Sequence, residues 1–580
     1  MKNWLIGALL VLTGCAATQP PGADDRVIDL MDQAWQQQLA RSPQMAAHFG
    51  NADALARLDD HSPQALKSAY DANQALLTQA RSIDADALGD EGRVNLSILM
   101  GILENRSDSY RFREYLMPLT AEGGFHNEVA GIAAGLTLST PQQAQAYLSR
   151  LAALPELFQQ QIHWMREGVR LGYTQPQVVL KGFESSIQAY LPDDAKESLY
   201  YQPFTTLPAN LADAETLKHA GLKAVREQVL PAYRDYLTFF VEEYRPAARA
   251  SIAADELPEG GAYYANRVNH FITLPMTPDE VHQLGLKEVA RIRAEMEAII
   301  ESLAFEGDFA DFLAFLRTDP RFYADTPEQL LREAAWLAKR ADAMLPKFFG
   351  KLPRTPYGVM AVPAEIAPKY TTGRYSGPSG DHQPGYYWVN TYALDKRPLY
   401  ALPALTLHEA VPGHHLQISL TRELGEVHPL RRYHYISAFG EGWGLYSEKL
   451  GVEAGYYEDA YADFGRLSYE MWRACRLVVD TGIHAKGWSR QQAIDFMAGN
   501  TALSLHNVTT EVDRYISWPG QALSYKMGEL TLWRLRHEAQ QVLGDRFDIR
   551  SFHDAVLANG SVPLAELERI VRQWITSQQG

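Results

Sequence analysis

The densest group of chemically reactive side chains in this 580-residue sequence is the segment 408–415, HEAVPGHH. In the common zinc-hydrolase motif H-E-x-x-H, two histidines on one helical face bind the metal and the glutamate acts as general base. His408 and Glu409 match the first two positions, but Pro412 stands where the second histidine is expected. The segment therefore indicates metal-dependent hydrolytic chemistry, with the second ligand supplied from beyond the usual spacing.

Pro412 decides whether a later histidine can reach the same ion. On a straight helix, the sixth residue after His408 would point roughly 240° away and lie about 9 Å along the axis, which prevents joint binding of one ion. Proline has no N–H for the carbonyl of His408 and its ring disturbs that turn, so a kink or bulge is predicted. Gly413 relaxes the backbone for the return of His414, which we favour as the ligand, with His415 beside the ligands or facing the substrate. The alternative is a histidine cluster that binds no metal.

A third protein ligand is required, because catalytic zinc keeps three and leaves a fourth position open. The segment 439–448, FGEGWGLYSE, predicts a helix whose glycines permit close approach of a second helix. Glu441 and Glu448 are seven residues apart and share one face of that helix. We predict Glu441 as the third ligand, because the glycines on both sides clear space around it, and Glu448 as a hydrogen-bonding partner of a ligand histidine.

Residues that stabilise the transition state are expected farther along the chain. The segments 511–515 and 518–528 concentrate Arg, Tyr and Lys around a Pro-Gly break. A Tyr hydroxyl or an Arg directed at the oxyanion of the substrate would supplement the metal, so Tyr525 and Arg514 are predicted catalytic residues. Tyr515 is a predicted substrate-binding residue. The alternative for each is an ordinary helix residue or ion pair.

The best strand candidate lies just before the predicted metal-binding helix. It is the aromatic and β-branched segment 386–390, YYWVN, which ends a loop rich in Gly and Pro. A strand there could offer its edge to an extended peptide, which makes Trp388 and Asn390 predicted substrate-binding residues. The alternative is a strand that only closes a small sheet.

The elements that must position these residues are predicted to be mainly helical. Thr140, Thr277 and Thr326 each precede a proline and are followed by Gln or Glu at the third helical position. This pattern is typical of a helix start with a capping box. The segment 281–303 carries apolar residues at three- and four-residue spacing, which predicts a core-facing helix. Cys475 lies in a similar helical pattern and is predicted to be a core residue.

The beginning of the chain predicts that the protein is located in the cell envelope. A short basic segment and an apolar stretch precede Leu12-Thr13-Gly14-Cys15, which resembles a bacterial lipobox. We expect removal of residues 1–14, lipid attachment at Cys15, and an anchor and linker over 15–26. Ala16 is not acidic, which favours a periplasm-facing lipoprotein of the outer membrane. The alternative is a simple secretory peptide with an incidental cysteine.

Composition predicts a large protein with several cores and no disulfide framework, since the chain has only two cysteines. The formal net charge of −16 argues against nucleic acid as a partner. We divide the mature chain into an N-terminal helical lobe, 27–255, and a metal-binding catalytic lobe, 256–580.

Several motifs together resemble the bacterial domain-of-unknown-function 885 family, whose members are often lipoproteins. They are LHEAVPGHH at 407–415, EGW at 441–443, RLVVDTGIH at 476–484, and the segment from RY at 514–515 to WPGQ at 518–521. That family is similar to the helical gluzincins, which include thimet oligopeptidase, angiotensin-converting enzyme and carboxypeptidase Taq. The resemblance implies a mainly helical, two-lobed body with a small sheet and one zinc ion at the floor of a deep channel.

The longer spacing has a parallel in dipeptidyl peptidase III, whose H-E-x-x-G-H pattern has one residue more than the H-E-x-x-H motif and still binds zinc. The resemblance implies that His408, His414 and Glu441 are the zinc ligands and that Glu409 is the general base. The expected function is a zinc-dependent metallopeptidase of the cell envelope that acts on oligopeptides. Two alternatives are an esterase or amidase that uses the same metal centre, and a non-catalytic scaffold lipoprotein.

Overall fold

The computed structural model describes residues 22–208, 210–364, 366–378 and 383–579. The predicted signal peptide at 1–14, the lipidation site Cys15 and the beginning of the linker lie outside the described residues. Within the described residues the fold is mainly helical with one small sheet, as predicted.

Helices account for most of the chain up to residue 255. Their bounds are α1 Ala23–Arg41, α2 Pro43–His48, α3 Pro63–Arg81, α4 Asp90–Arg111, α5 Phe125–Ala130, α6 Pro141–Leu171, α7 Glu184–Gln188, α8 Gln202–Thr205, α9 Ala214–Ala224, α10 Leu230–Phe239 and α11 Arg245–Ala247. Two π-helical turns, Val225–Val229 and Phe240–Tyr244, connect α9, α10 and α11 into one continuous rod.

Helices dominate the second part as well. Their bounds are α12 Gly260–Ile272, α13 Pro278–Ser302, α14 Phe309–Thr318, α15 Pro327–Phe348, α16 Leu402–Glu409, α17 His414–Arg422, α18 Pro429–Tyr433, α19 Ser437–Glu453, α20 Ala460–Lys486, α21 Arg490–Asn500, α22 Leu505–Ser517, α23 Ser524–Leu543, α24 Ile549–Leu557 and α25 Leu564–Gln579. None of the helices in the described part of the chain combines the length and apolar character that a membrane crossing requires.

The three predicted helix starts are where the Thr-Pro pairs stand, and two of the capping boxes are complete. Thr140 and Thr277 each accept a hydrogen bond from the third helical residue, whose side chain bonds back to the threonine N–H. Thr326 also caps its helix, but the side chain of Gln329 accepts from the N–H of Asp325 instead. The third box is therefore only half formed, because the amide oxygen of Gln329 bonds to the residue before the cap.

Two long helix pairs build the core behind the segment 408–415. The helix α13 packs along α20, and α19 packs along α23. The second pair is exceptionally close, since a Cβ on Gly442 would lie 2.4 Å from the Cα of Gly528. The close helix approach predicted from the glycines of α19 is confirmed. Cys475 is buried in α20, as predicted.

The sheet has the strand order β1-β3-β2, with β1 Tyr357–Ala361, β2 Gly373–Ser376 and β3 Gly385–Val389. The strand β3 runs parallel to β1 and antiparallel to β2. The predicted strand is confirmed, but both of its edges are paired, so the expectation that it offers an edge to a peptide is wrong. The edge strand next to the segment 408–415 is β2, which lies within the stretch that the sequence indicated as a loop.

Candidate metal centre

The helix α16 brings His408 and Glu409 into the interior, since all of its residues are buried. Glu409 lies at its last position and accepts a hydrogen bond from the backbone N–H of Tyr375 at 2.7 Å. Tyr375 belongs to β2, so the edge strand of the sheet fixes the orientation of this carboxylate. A carboxylate held in this way has one oxygen restrained by the strand and the other available to a reacting group.

A four-residue turn, 410–413, replaces the predicted kink within one helix. The chain leaves α16 at Ala410, crosses a cis Val411-Pro412 bond and starts α17 at His414. The N–H of Gly413 donates to the carbonyl of Leu407 at 2.9 Å, and a Cβ on Gly413 would lie 1.9 Å from the carbonyl oxygen of His408. The two helices are therefore separate, because only a glycine allows the chain to return so closely over the end of α16.

The turn brings His414 back to His408, opposite Glu441 of α19. The Nε2 atoms of His408 and His414 lie 3.5 and 3.4 Å from the same oxygen of Glu441. One donor atom from each of the three residues lies within 4.8 Å of the other two. The three residues predicted as ligands thus converge on one point.

His415 faces away from this point. Its Nδ1 lies 2.9 Å from the hydroxyl oxygen of Tyr375, and its ring packs against Tyr357. Burial lowers the pKa of His415 to about 4, so the ring is neutral near pH 7. Of the two adjacent histidines, the geometry therefore selects His414 for the cluster.

Glycines of α19 make room for the cluster. A Cβ on Gly444 would lie 2.6 Å from Cε1 of the His408 ring. A Cβ on Gly440 would lie 2.3 Å from the hydroxyl of Tyr435, which lines the same site. The helix can present Glu441 beside two imidazole rings only because its neighbouring positions carry no side chain.

Glu448 holds the other side of His408. The carboxylate of Glu448 accepts from Nδ1 of His408 at 2.7 Å and also lies 3.3 Å from the guanidinium of Arg473. Burial favours a neutral ring, but hydrogen bonds to Glu441 and Glu448 outweigh it and raise the pKa of His408 to about 9. Burial likewise opposes ionisation of Glu441, but the charges of His414 and His408 hold its pKa well below the usual range.

This donor set fits a zinc ion. Two imidazole nitrogens and one carboxylate oxygen are a common ligand set of catalytic zinc. The bond from Nδ1 of His408 to Glu448 fixes the tautomer that leaves Nε2 free for a metal, as in carboxylate–histidine–metal arrangements. Both histidines are buried, which limits competition from bulk water.

A cavity of about 510 Å³ opens on the cluster. Its polar lining includes the predicted residues His408, Glu409, His414, Glu441, Arg514 and Tyr525, and also Glu122, Arg374, Tyr435, Arg473, Arg476 and Glu511. The ring of Tyr525 stacks on that of His408 with their centroids 6.4 Å apart. Burial raises the pKa of Tyr525, so its hydroxyl stays protonated and can donate.

Arg514 lies in a network of ion pairs and hydrogen bonds. It donates to Gln521 at 2.5 Å and to Glu511 at 3.0 Å. The hydroxyl of Tyr515 also donates to Glu511 and accepts from Arg476. Tyr515 is fully buried and is not part of the cavity wall, so its structural place is behind the arginines rather than against a substrate.

Trp388 and Asn390 also lie outside the wall of this cavity. The side-chain amide of Asn390 donates to the carbonyls of Ala367, Tyr370 and Thr371, which fastens the chain that leads into β2. These contacts occupy the amide, so Asn390 positions the edge strand and has no donor left for a substrate.

Three arginines and three tyrosines of the wall were not predicted from the sequence: Arg374, Arg473, Arg476, Tyr375, Tyr435 and Tyr469. Arg473 and Arg476 lie three residues apart on α20 and hence on one face, which was the available signal. Arg374 comes from β2 and Tyr435 from the loop before α19, where the sequence carries no periodic pattern.

A second cavity of about 640 Å³ adjoins the first, because Glu122 lines both. Its wall comes from the N-terminal part of the chain and includes Arg41, Asp59, His61, Tyr115 and Trp164. Apart from Glu122, the wall of the first cavity comes from residues 271–525, whereas the wall of the second cavity comes from residues 41–164.

The family "Bacterial protein of unknown function (DUF885)" matches residues 43–571. A putative lipoprotein from Colwellia psychrerythraea has a similar crystal structure, with a TM-score of 0.88, 28% identity, and coverage of 96% of this chain and 100% of that chain. A putative lipoprotein of unknown function from Shewanella oneidensis shares the fold, with a TM-score of 0.74, 17% identity, and coverage of 95% and 100%. Among curated proteins, none matches this chain significantly.

Proposed function

Because the chain belongs to the bacterial DUF885 family, whose function is unknown, we propose a function from its own geometry: a zinc-dependent metallopeptidase that hydrolyses oligopeptides. One observation carries the proposal. Donor atoms of His408, His414 and Glu441 lie within 4.8 Å of one another, and Glu409 follows directly after the first ligand. A site that only stabilised the fold would have no need of a further carboxylate facing the same cavity.

Each side chain around the cavity has a defined task in this proposal. His408, His414 and Glu441 would hold the zinc, which supplies Lewis acidity and brings the pKa of a coordinated water to about 7. Glu409 takes the proton of the attacking water and passes it to the leaving nitrogen. Tyr525 donates its hydroxyl hydrogen to the oxyanion that develops on the substrate carbonyl. The N–H of Tyr375 keeps Glu409 aligned for both proton transfers.

We further propose that the two cavities that share Glu122 form one channel between the N-terminal lobe and the catalytic lobe. The support is that one wall comes from residues before 165 and the other mainly from residues after 270. Such a channel would admit extended oligopeptides and exclude folded proteins. This is the two-lobed arrangement that similarity to the gluzincins implies.

An envelope location completes the proposal. The lipobox at Cys15 would anchor the protein by its N-terminus, with Ala16 favouring the outer membrane and the periplasm as the compartment. Similarity to putative lipoproteins from two bacteria supports the anchor. The substrates would then be peptides in the envelope, and the net charge of −16 gives no support to a nucleic-acid partner.

The decisive experiment is cleavage of an unbiased peptide library, followed by mass spectrometry, with and without a chelator. We expect chelator-sensitive cleavage by protein that holds about one zinc per chain. Glu409→Gln should keep the zinc and the fold but lower kcat by about 10²- to 10⁴-fold. Glu297→Gln, at an exposed position of α13, is the matched control and should retain full activity. Zinc-loaded protein that cleaves no peptide, or cleavage indifferent to the chelator, would refute the proposal.

A further inference from the structure

Two buried arginines beside the metal cluster share a single carboxylate. Arg476 and Arg514 each lie 3.0 Å from the same oxygen of Glu511. All three residues line the cavity, and both arginines are buried. Two positive charges opposite one negative charge leave an excess positive charge in a site shielded from water. Such an excess is costly unless an anion compensates it.

Two other carboxylates that line the cavity are engaged elsewhere: Glu409 accepts from the N–H of Tyr375, and Glu441 lies against His408 and His414. Arg473 lies on the same face of α20, and its carboxylate partner, Glu448, is already shared with His408. Arg374 of β2 lines the same cavity. Within the described part of the chain, Nη1 of Arg476 makes no hydrogen bond. These observations indicate a pocket built for a negatively charged group.

The anion site is close to the metal cluster. The ring of Tyr525 lies between them, with its centroid 6.4 Å from that of His408 and 4.2 Å from the guanidinium carbon of Arg476. One aromatic side chain therefore separates the two sites. A substrate that placed its scissile bond beside the cluster would reach the arginines with a group only about one residue farther along.

We propose that Arg476 and Arg514 bind the terminal α-carboxylate of the peptide substrate, so that the enzyme is a carboxypeptidase; this rests on the peptidase function proposed above. Nη1 of Arg476 supplies the donor without a partner among the described residues, and Arg514 supplies a guanidinium that Glu511 and Gln521 fix from two sides. Guanidinium groups pair with carboxylates through two parallel hydrogen bonds, which makes the recognition directional. Arg514 is thus a substrate-binding residue in place of the oxyanion donor that the sequence predicted.

The test measures binding separately from catalysis. Zinc-loaded Glu409→Gln protein is titrated by calorimetry with a blocked trialanine peptide that carries a free terminal carboxylate, and with the same peptide as its terminal amide. We expect the acid to bind about 10- to 100-fold more tightly than the amide, as charge-assisted hydrogen bonds predict. A third peptide, an amide that ends in glutamate, separates a terminal carboxylate from a side-chain carboxylate.

Substitution of Arg514 should remove this preference. In the same background, Arg514→Gln should bring the acid-to-amide ratio close to one, and Arg514→Lys should restore part of it. The fold should survive, because Arg476 and Glu511 then remain as a balanced pair. Arg490→Gln is the matched control, since Arg490 also pairs with a carboxylate, that of Asp513, but does not line the cavity; it should keep the full ratio.

The outcomes separate this proposal from the one on which it rests. Equal binding of acid and amide, or equal binding of the acid and the glutamate-ended amide, would overturn the carboxypeptidase assignment. Cleavage of amidated peptides by the wild-type protein as fast as of free acids would overturn it too, while the peptidase function would stand. Failure of the wild-type protein to cleave any peptide would refute the peptidase function, although the binding ratio would still report on the arginines.

Discussion

The Nδ1 atom of His408 lies 2.7 Å from Oε1 of Glu448, about two turns along α19 from Glu441. One helix thus contacts both nitrogens of the same imidazole ring: Glu448 contacts Nδ1 and Glu441 faces Nε2. The same carboxylate neutralises Arg473, so the ring is fixed by a charged pair rather than by a lone acid.

Removal of the charge at Glu448 should weaken metal binding without removing a ligand. A glutamine can still accept from His408, but it is neutral and leaves Arg473 without an anionic partner. We expect Glu448→Gln to lower zinc affinity by about 10- to 100-fold, as measured by competition with a chromogenic chelator. Glu453→Gln on the same helix is the control. Unchanged affinity in Glu448→Gln would show that the ring orientation is set by packing alone.

His414 and His415 are adjacent, but we expect only His414 to bind the metal. Substitution of a ligand removes one of only three protein donors, so His408→Ala and His414→Ala should each lose stoichiometric zinc. His415→Ala should retain it, because His415 faces Tyr375 and Tyr357. Zinc per chain can be measured by plasma mass spectrometry after dialysis. Loss of zinc from His415→Ala but not from His414→Ala would reverse the assignment of the two.

Gly444 should be intolerant of a single methyl group. A Cβ there would lie 2.6 Å from Cε1 and 2.7 Å from Nε2 of His408, so the ring must move. We expect Gly444→Ala to lower zinc affinity at least about tenfold and the free energy of unfolding by about 1–3 kcal/mol.

A glycine in open space provides the comparison for Gly444. Gly101 lies within α4 and a Cβ there would meet nothing within 4 Å. Gly101→Ala should therefore stabilise the protein by about 0.5–1 kcal/mol, since alanine loses less backbone entropy in a helix. If Gly444→Ala and Gly101→Ala give the same urea midpoint and the same zinc affinity, the close contact of Gly444 with His408 affects neither stability nor metal binding.

Loss of the Tyr525 hydroxyl should slow the chemical step. Tyr525→Phe keeps the ring that stacks on His408 but removes the donor for the oxyanion, so kcat should fall by about 10²- to 10³-fold with KM little changed. Steady-state kinetics on a cleaved library peptide measure this. Tyr392→Phe, at an exposed position, serves as control. A main effect on KM would instead indicate a role of Tyr525 in ground-state binding.

Asp480 should make stability fall with rising pH. Burial raises the pKa of Asp480 to about 7, and this outweighs hydrogen bonds from Tyr264 and Gly520 and the nearby charge of Arg514. The folded state then holds this proton more tightly than the unfolded state, whose pKa is about 4. Stability is therefore lost progressively between about pH 4 and pH 7, by at most about 4 kcal/mol.

Asp480→Asn tests this directly, because asparagine cannot ionise and can still accept from Tyr264. We expect the urea midpoint of the variant to change less than that of the wild type between pH 5 and pH 8. Parallel pH profiles for the two proteins would mean that Asp480 is already ionised at pH 5.

The sequence predicted features that depend on neighbours along the chain. The helix starts at Thr140 and Thr277 follow from capping within one turn, and β3 from its aromatic and β-branched residues. The hydrogen bond of Glu448 with His408 was predicted from the place of Glu448 on the same helical face as Glu441. Such features require only local geometry, which residue spacing encodes.

Features that depend on distant contacts could not be predicted in this way. The edge of β2 next to Glu409, the separation of α16 from α17, and the convergence of Arg476 with Arg514 all depend on tertiary packing. Asn390 shows the same limit, because its three backbone partners lie 19 to 23 residues earlier in the chain.

The turn at 410–413 makes the segment 408–415 a unit that can be exchanged only as a whole. Deletion of two residues to recreate the five-residue H-E-x-x-H spacing would rotate all of α17 by roughly 200° about its axis. His415 would then leave Tyr375, and the strand that restrains Glu409 would lose its contact with α17. Protein engineers who wish to transplant this site into another helical scaffold would therefore have to carry β2, the turn and both helices together.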